Sequence, residues 1–143
     1  MVKVSKLGLF VGEFRHNLTE RNRLALPKRI RVEVDGFEVV LSRGFERYIA
    51  GFDRLQWQQM VKQELSIPFH ESRGRELRRQ IFSSVMIVEL DSQGRVVLPE
   101  PLLAWAGLKG KVGEPLVIIG AGDHFEIWEE TAWIKNQEHK INT

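Results

Sequence analysis

Apolar and polar residues alternate in short runs along this chain, and the runs occur twice in the same order. Glu13-Phe14-Arg15-His16-Asn17-Leu18 alternates loosely and predicts a strand. Arg21-Asn22 is a turn signal, because Asn tolerates positive φ. Arg23-Leu24-Ala25-Leu26 resumes a strand, and Pro27 ends it by removing a ladder donor. Lys28 to Arg31 predicts one helical turn, and Phe37 to Gly44 and Tyr48 to Phe52 predict two more strands. Asp53 reads as a helix N-cap. A helix is expected over 54–65, with Leu55, Trp57, Met60, Val61 and Leu65 at roughly helical spacing. Pro68 interrupts. A second helix is expected from Glu71 to Ser83, apolar at Leu77, Ile81 and Phe82 and basic at Arg73, Arg75, Arg78 and Arg79.

The second series mirrors the first. Ser84 to Leu90 predicts a strand, and Asp91-Ser92-Gln93-Gly94 a turn in which Gly94 supplies the free backbone angle. Arg95 to Leu98 is a strand ending at Pro99. Pro101 to Ala106 is a short helix that stops at Gly107. Leu116 to Ile119 and Phe125 to Trp128 are strands, and a closing helix runs from Glu129 to about His139.

The correspondence is a true repeat. A shift of 72 positions lays Leu18–Pro27 on Leu90–Pro99, with Leu, Arg, Leu and Pro identical. A shift of 78 lays Val39-Val40-Leu41 on Val117-Ile118-Ile119 and Ile49 on Ile127. A shift of 76 lays Trp57 on Trp133. Two or three short strands are marginal alone in water, so neither copy buries its strand faces by itself. The expected fold is α+β: one pseudo-symmetric, intertwined β-core from the hairpins of both copies pairing face to face, with helices outside. The chain divides into an N-terminal extension (1–9), a first repeat with its helices (10–83) and a second repeat with a C-terminal helix (84–143).

Composition excludes several classes of chemistry. Of 143 residues, 43% are hydrophobic, enough for a real core. No apolar run approaches the roughly 18 residues of a membrane helix. The apolar part of the first ten residues is too short for a secretion signal. The absence of cysteine removes disulfides, thiolate catalysis and Cys-based metal sites, and fits a reducing cytoplasm. His16, His70, His124 and His139 are scattered without metal-ligand spacing. There is no G-x-S-x-G and no P-loop. Gly120-Ala121-Gly122 opens no helix, so it makes no phosphate cradle. Glu129-Glu130 complements a helix dipole. Trp57, Trp105, Trp128 and Trp133 read as core or interface anchors. No catalytic residue, metal, cofactor or small-molecule substrate is expected, and the chain does not read as an enzyme.

Charge changes the picture. The net charge is only +2, but residues 1–80 hold 16 Lys/Arg against 10 Asp/Glu, and residues 81–143 hold 5 against 9. Such asymmetry points to a polyanion-binding face or to attraction between copies. Arg15, Arg21, Arg23, Lys28, Arg29 and Arg31 surround the first turn with only Glu20 opposing. Such a cluster suits phosphates, whose neutralisation releases condensed counterions. At the second turn, Asp91-x-x-x-Arg95 lets the carboxylate accept loop N–H groups and hold the guanidinium in one direction. A pre-aimed Arg suits bidentate contact with guanine O6 and N7 in the major groove of double-stranded DNA. Arg23 occupies the matching position of the first turn. The Arg73–Arg79 cluster has two readings, DNA or acidic groups of a neighbouring copy such as Glu126, Glu129 or Glu130. Lys3 and Lys6 in the extension could also reach phosphate.

Gly12-Glu13-Phe14-Arg15-His16-Asn17-Leu18 leading to Arg23-Leu24-Ala25-Leu26-Pro27, Asp91-Ser92-Gln93-Gly94-Arg95 with Val-Val-Leu-Pro99, and Phe125-Glu126-Ile127-Trp128-Glu129 with Trp133 together resemble the MraZ family over residues 10–137. The resemblance implies a tandem AbrB-like swapped-hairpin β-barrel core with flanking helices. It implies a cytoplasmic, nucleoid-associated bacterial transcriptional regulator of the division and cell-wall gene cluster. It implies binding to short G-rich direct repeats upstream, by homo-oligomeric rings of about eight or more subunits. The DNA-binding set is then Arg21, Arg23, Gln93 and Arg95, with Arg15 and Lys28, and the turns are shaped by Thr19, Asn22, Asp91 and Gly94. Thr19 departs from the family pattern, which has Asp there; Glu20, displaced by one position, is the nearest carboxylate. The competing reading is an AbrB-like antitoxin or transition-state regulator that also holds a protein partner. The helices after each β-module argue against it.

Overall fold

The computed structural model describes residues 5–141, so Lys3 lies outside the described residues. Its elements in chain order are β1 (Glu13–Asn17), β2 (Arg23–Ala25), α1 (Lys28–Arg31), β3 (Glu38–Arg43), β4 (Ile49–Phe52), α2 (Arg54–Glu64), α3 (Ser72–Ile81), β5 (Met86–Glu89), β6 (Arg95–Val97), α4 (Glu100–Trp105), β7 (Pro115–Gly120), β8 (Phe125–Glu129) and α5 (Glu130–Ile141). No helix among the described residues is long and apolar enough to cross a membrane.

The strands form two ladders. Six join one antiparallel sheet in the order β1-β7-β8-β4-β3-β5, and β2 and β6 make a separate ribbon. Exchanging the two repeats turns this order onto itself in reverse. At the sheet's centre Ile49 pairs with Ile127, its own counterpart in the repeat. At the ribbon's centre Leu24 pairs with Val96, again its own counterpart. All four side chains are buried. The pseudo-twofold axis therefore passes through both ladders. The outer ladders also cross between copies: β1 pairs with β7, and β5 with β3.

The copies share backbone hydrogen bonds, and the sheet runs from β1 at one edge to β5 at the other. β3 and β7 read Val39-Val40-Leu41 and Leu116-Val117-Ile118, apolar at consecutive positions, which marks strands covered on both faces. Val39, Leu41, Ile49, Leu116, Ile118, Phe125 and Ile127 face one cluster, completed by Leu24 and Val96 of the ribbon, Ile30 of α1 and Leu102 and Leu103 of α4. Val40, Ala50, Phe52, Val117 and Trp128 face another, covered by Trp57 and Met60 of α2 and Trp133 of α5. The sheet is a middle layer. The ribbon lies over one face and the long helices over the other.

Equivalent positions cap the helices. Asp53 accepts the N–H of Leu55 at 3.2 Å and that of Asp35 at 2.8 Å. Glu129 accepts those of Thr131 and Ala132 at 3.0 and 2.8 Å. Gly51 sits where any Cβ would enter the Phe125 ring. The end of the N-terminal extension is docked: Leu7 and Gly8 donate to Glu33 at 2.8 and 2.9 Å, and Arg29 holds the same carboxylate at 2.7 Å.

Beside the second cluster, His124 bridges Asp123 at 2.7 Å and Glu126 at 2.8 Å, and Trp128 donates to Glu126 at 2.9 Å. Burial opposes the charged imidazole, but the two carboxylates outweigh it and raise the His124 pKa. Burial likewise works against the Glu126 carboxylate, yet bonds from His124 and Trp128 hold its pKa below the usual range.

Two outcomes are expected for stability. Ile49→Ala removes the side chain on the axis and should cost about 2–5 kcal/mol in denaturant unfolding, several times the cost of the same change at exposed Ile134. Because the His124 pKa is raised in the folded chain above that of an ordinary imidazole, its contribution is full at pH below the ordinary imidazole range and fades as pH rises through the folded pKa. Thermal unfolding should show Tm falling over that rise in the parent chain, and falling less in His124→Gln.

Candidate nucleic-acid interface

Strand alternation decides what the ribbon shows to solvent. Leu24 and Val96 point inward, so Arg23, Ala25, Arg95 and Val97 point out. In register, Arg23 stands opposite Val97, and Ala25 opposite Arg95. The two arginines thus share one outward face, related by the pseudo-twofold. Two further hydrogen bonds extend the ladder symmetrically: Leu26 donates to Gly94 at 3.1 Å, and Leu98 to Asn22 at 2.8 Å. Each tight turn is thereby stitched to the strand leaving the other. His16 of β1 donates from Nδ1 to the Ala25 carbonyl at 2.7 Å and pins the first strand of the ribbon.

The turns share a frame and differ in electrostatics. Thr19 donates its N–H to Arg23 at 2.9 Å, and Asp91 does the same to Arg95 at 2.9 Å. In the second turn the Asp91 carboxylate does three things. Oδ1 accepts the N–H groups of Gln93 and Arg95 at 2.8 and 2.9 Å, and Oδ2 accepts Nε of Arg95 at 2.8 Å. The backbone bond from Arg95 is the leading reason that the Asp91 pKa lies below the usual carboxylate range. The guanidinium is held at Nε, and its terminal nitrogens make no hydrogen bond among the described residues. Gly94 has φ 74°, the left-handed region that favours glycine. A side chain there would also collide with Arg31, whose guanidinium reaches across from α1.

The first turn is built without a carboxylate. Thr19 donates its hydroxyl to the Arg23 carbonyl at 2.9 Å, so it closes the turn but does not touch the Arg23 guanidinium. Glu20 makes no ion pair among the described residues. It therefore does not replace the missing Asp. Arg21 and Asn22 adopt φ 63° and 58°. For Arg21 that conformation is uncommon, and it leaves the side chain exposed at the tip. Gln93 is exposed at the equivalent tip of the second turn, and Lys28 at the start of α1.

The structure brings together Arg21, Arg23, Lys28, Gln93 and Arg95 on or beside the ribbon, with Thr19, Asn22, Asp91 and Gly94 as its frame. It does not bring Arg15 there. Arg15 pairs in register with Val117, whose side chain belongs to the helix-covered cluster. It lies on the opposite face of the sheet, bound to Glu13 at 3.0 Å and Glu130 at 3.3 Å. The even spacing from Arg15 to Arg21 and Arg23 in sequence hides a change of sheet face. Arg29 is also withdrawn, clamped by Glu33. Arg31 is the addition: its cluster was visible in the sequence, but its reach to Gly94 depends on α1 packing across the repeats.

The α3 cluster divides. Arg75 donates to the carbonyls of Phe69 and His70, and Arg78 to those of Ile67 and Gly74, so both brace the loop between α2 and α3. Arg73 and Arg79 remain exposed beside an open groove with Arg43 and Phe45. The acidic residues expected to meet them from another copy are engaged within the chain. Glu126 holds His124, Glu129 caps α5 and Glu130 holds Arg15.

Comparison with known proteins places this architecture. A family model described as "MraZ protein, putative antitoxin-like" matches residues 9–80 and again 81–142. A protein of Roseiflexus castenholzii named transcriptional regulator MraZ is 38% identical over 125 residues, covering 87% of this chain and 84% of its own. Proteins of the same name from Thermomicrobium roseum and Syntrophomonas wolfei are 32% and 34% identical, covering 91% and 92% of this chain and 88% of each of theirs. With the family model matched twice in tandem over nearly its full length, the chain belongs to the MraZ family.

Proposed function

We propose that this chain is a sequence-specific double-stranded DNA-binding transcriptional regulator that reads the major groove with the β2–β6 ribbon. The observation that carries this reading is the pair Arg23 and Arg95, displayed on one outward face by a ladder centred on Leu24 and Val96. A two-stranded ribbon fits the major groove, and an Arg held at Nε presents its terminal nitrogens to guanine O6 and N7. Arg21, Lys28 and Arg31 flank the face and neutralise phosphates. Arg15 takes no part. The relatives' name as transcriptional regulators supports the reading. The crossed ladders between repeats support the AbrB-like swapped-hairpin arrangement.

The finer reading follows from the size of the face. One ribbon reaches only a few base pairs and binds weakly alone. A ring of such subunits engages several short G-rich direct repeats at once and gains by effective concentration. Its site of action is then the nucleoid, upstream of the division and cell-wall gene cluster. The antitoxin-like wording of the family model keeps a partner-binding role in view. A small protein that co-purifies in fixed ratio and releases the DNA would favour it.

The first test is fluorescence anisotropy at fixed near-physiological salt. The DNAs are the upstream region, the same region with its G-rich repeats scrambled, and a version with one repeat. Tight binding to the multi-repeat DNA alone is expected. Arg23→Ala and Arg95→Ala should each lose about tenfold to a hundredfold in discrimination. Equal, salt-labile binding to all three DNAs would overturn sequence-specific reading.

A second test separates the two turns. Asp91→Asn keeps the backbone acceptor but removes the charge that aims Arg95, and should cost severalfold in specific affinity. Thr19→Asp supplies the missing carboxylate to Arg23 and should raise it. Unchanged affinity in both variants would show that aiming the guanidinium contributes nothing.

A further inference from the structure

The outward face of the ribbon has four positions, and the arginines fill only one diagonal. The other diagonal is Val97 and Ala25. Val97 is 49% exposed and belongs to neither apolar cluster. An exposed valine on a strand is ordinary by itself. Its setting is not. It follows Arg95 by two positions on the same face and stands directly opposite Arg23, so a branched apolar side chain sits between the two cations.

Such a side chain offers nothing to a phosphate. Within the major groove, the apolar feature of the base edges is the 5-methyl group of thymine. The dimensions agree. Successive outward positions on a strand are about 6.8 Å apart. That is about two base-pair steps of 3.4 Å. With Arg95 on a guanine, Val97 stands over a base pair one or two steps away.

We propose that Val97, with Ala25 as its smaller counterpart, is a specificity-determining residue that packs on thymine 5-methyl groups beside the guanines held by Arg23 and Arg95. This rests on the DNA-binding reading above. It adds a second chemical feature to the recognised sequence: guanine alone is not enough, and a neighbouring thymine is preferred over cytosine for its methyl group as well as its acceptor.

The test changes one methyl group at a time. Duplexes are selected from a random-sequence library by the full chain, then remade with deoxyuridine in place of thymidine, which removes only the methyl. Anisotropy titrations compare the two forms with the parent chain, Val97→Ala and Val97→Thr. The parent should bind the uracil duplex about fourfold more weakly for each contacted methyl. Val97→Ala should bind both forms alike, near the parent's affinity for uracil. Val97→Thr keeps one γ-methyl and the β-branched shape, and should show a reduced penalty. Equal binding of both forms by the parent overturns the proposal and needs no variant. So does a full penalty that persists in Val97→Ala. In either case, binding that still depends on guanine leaves the regulator reading standing. A parent chain that discriminates among no duplexes removes both.

Discussion

Each repeat leaves strand edges that only the other repeat satisfies, and the rest of the structure follows from that exchange. β1 finds its partner in β7, β5 in β3, and β2 in β6. None of these ladders lies within one copy. The consequence for the interface is direct. Arg23 and Arg95 are 72 positions apart in sequence, yet the ladder that joins them has buried Leu24 and Val96 at its centre. An outward face built this way does not depend on loop flexibility. It is held from below by the main core and from the side by His16 on the Ala25 carbonyl.

Duplication gives two equal frames, and side-chain chemistry then makes them unequal. The backbone bonds of the two turns correspond one to one, from Thr19 and Asp91 to Leu26 and Leu98. The guanidiniums do not. Arg95 is tied to a carboxylate and supported by a glycine turn against which Arg31 packs, whereas Arg23 leaves a turn with two non-glycine residues at positive φ. An aimed donor loses less freedom on binding than an unaimed one. The second turn therefore presents the more ordered guanidinium and the first the freer one.

Much of this was legible from the chain. The repeat, the two tight turns, the N-cap at Asp53 and nearly every element emerged from apolar spacing and turn residues, because those signals are local. The resemblance to the MraZ family rested on the same residues and holds. What was not legible depends on which face of the sheet a strand residue takes. Arg15 belongs to the same basic run as Arg23, but β1 and the ribbon are different layers, so its charge goes to Glu130. An intertwined core could be expected from the repeat, but the partner of each strand could not: β1 joins β7 and β5 joins β3, pairings between segments far apart in sequence.

The modest net charge conceals a selective arrangement. Most cations outside the ribbon are engaged: Arg15 with Glu13 and Glu130, Arg29 with Glu33, Arg54 with Glu38, and Arg75 and Arg78 with loop carbonyls. Arg43 and Arg47 lie over the Trp105 ring. Among the described residues, Arg21, Arg23, Lys28 and Arg31 make no ion pair. These cations add to the potential that a polyanion meets at the ribbon, since paired charges cancel within a few ångströms and the remainder is screened over about 8–10 Å in salt, while Arg73 and Arg79 lie exposed on α3, apart from it. A chain with a net charge of only +2 can thus gather uncancelled positive charge at the ribbon that the two repeats build together.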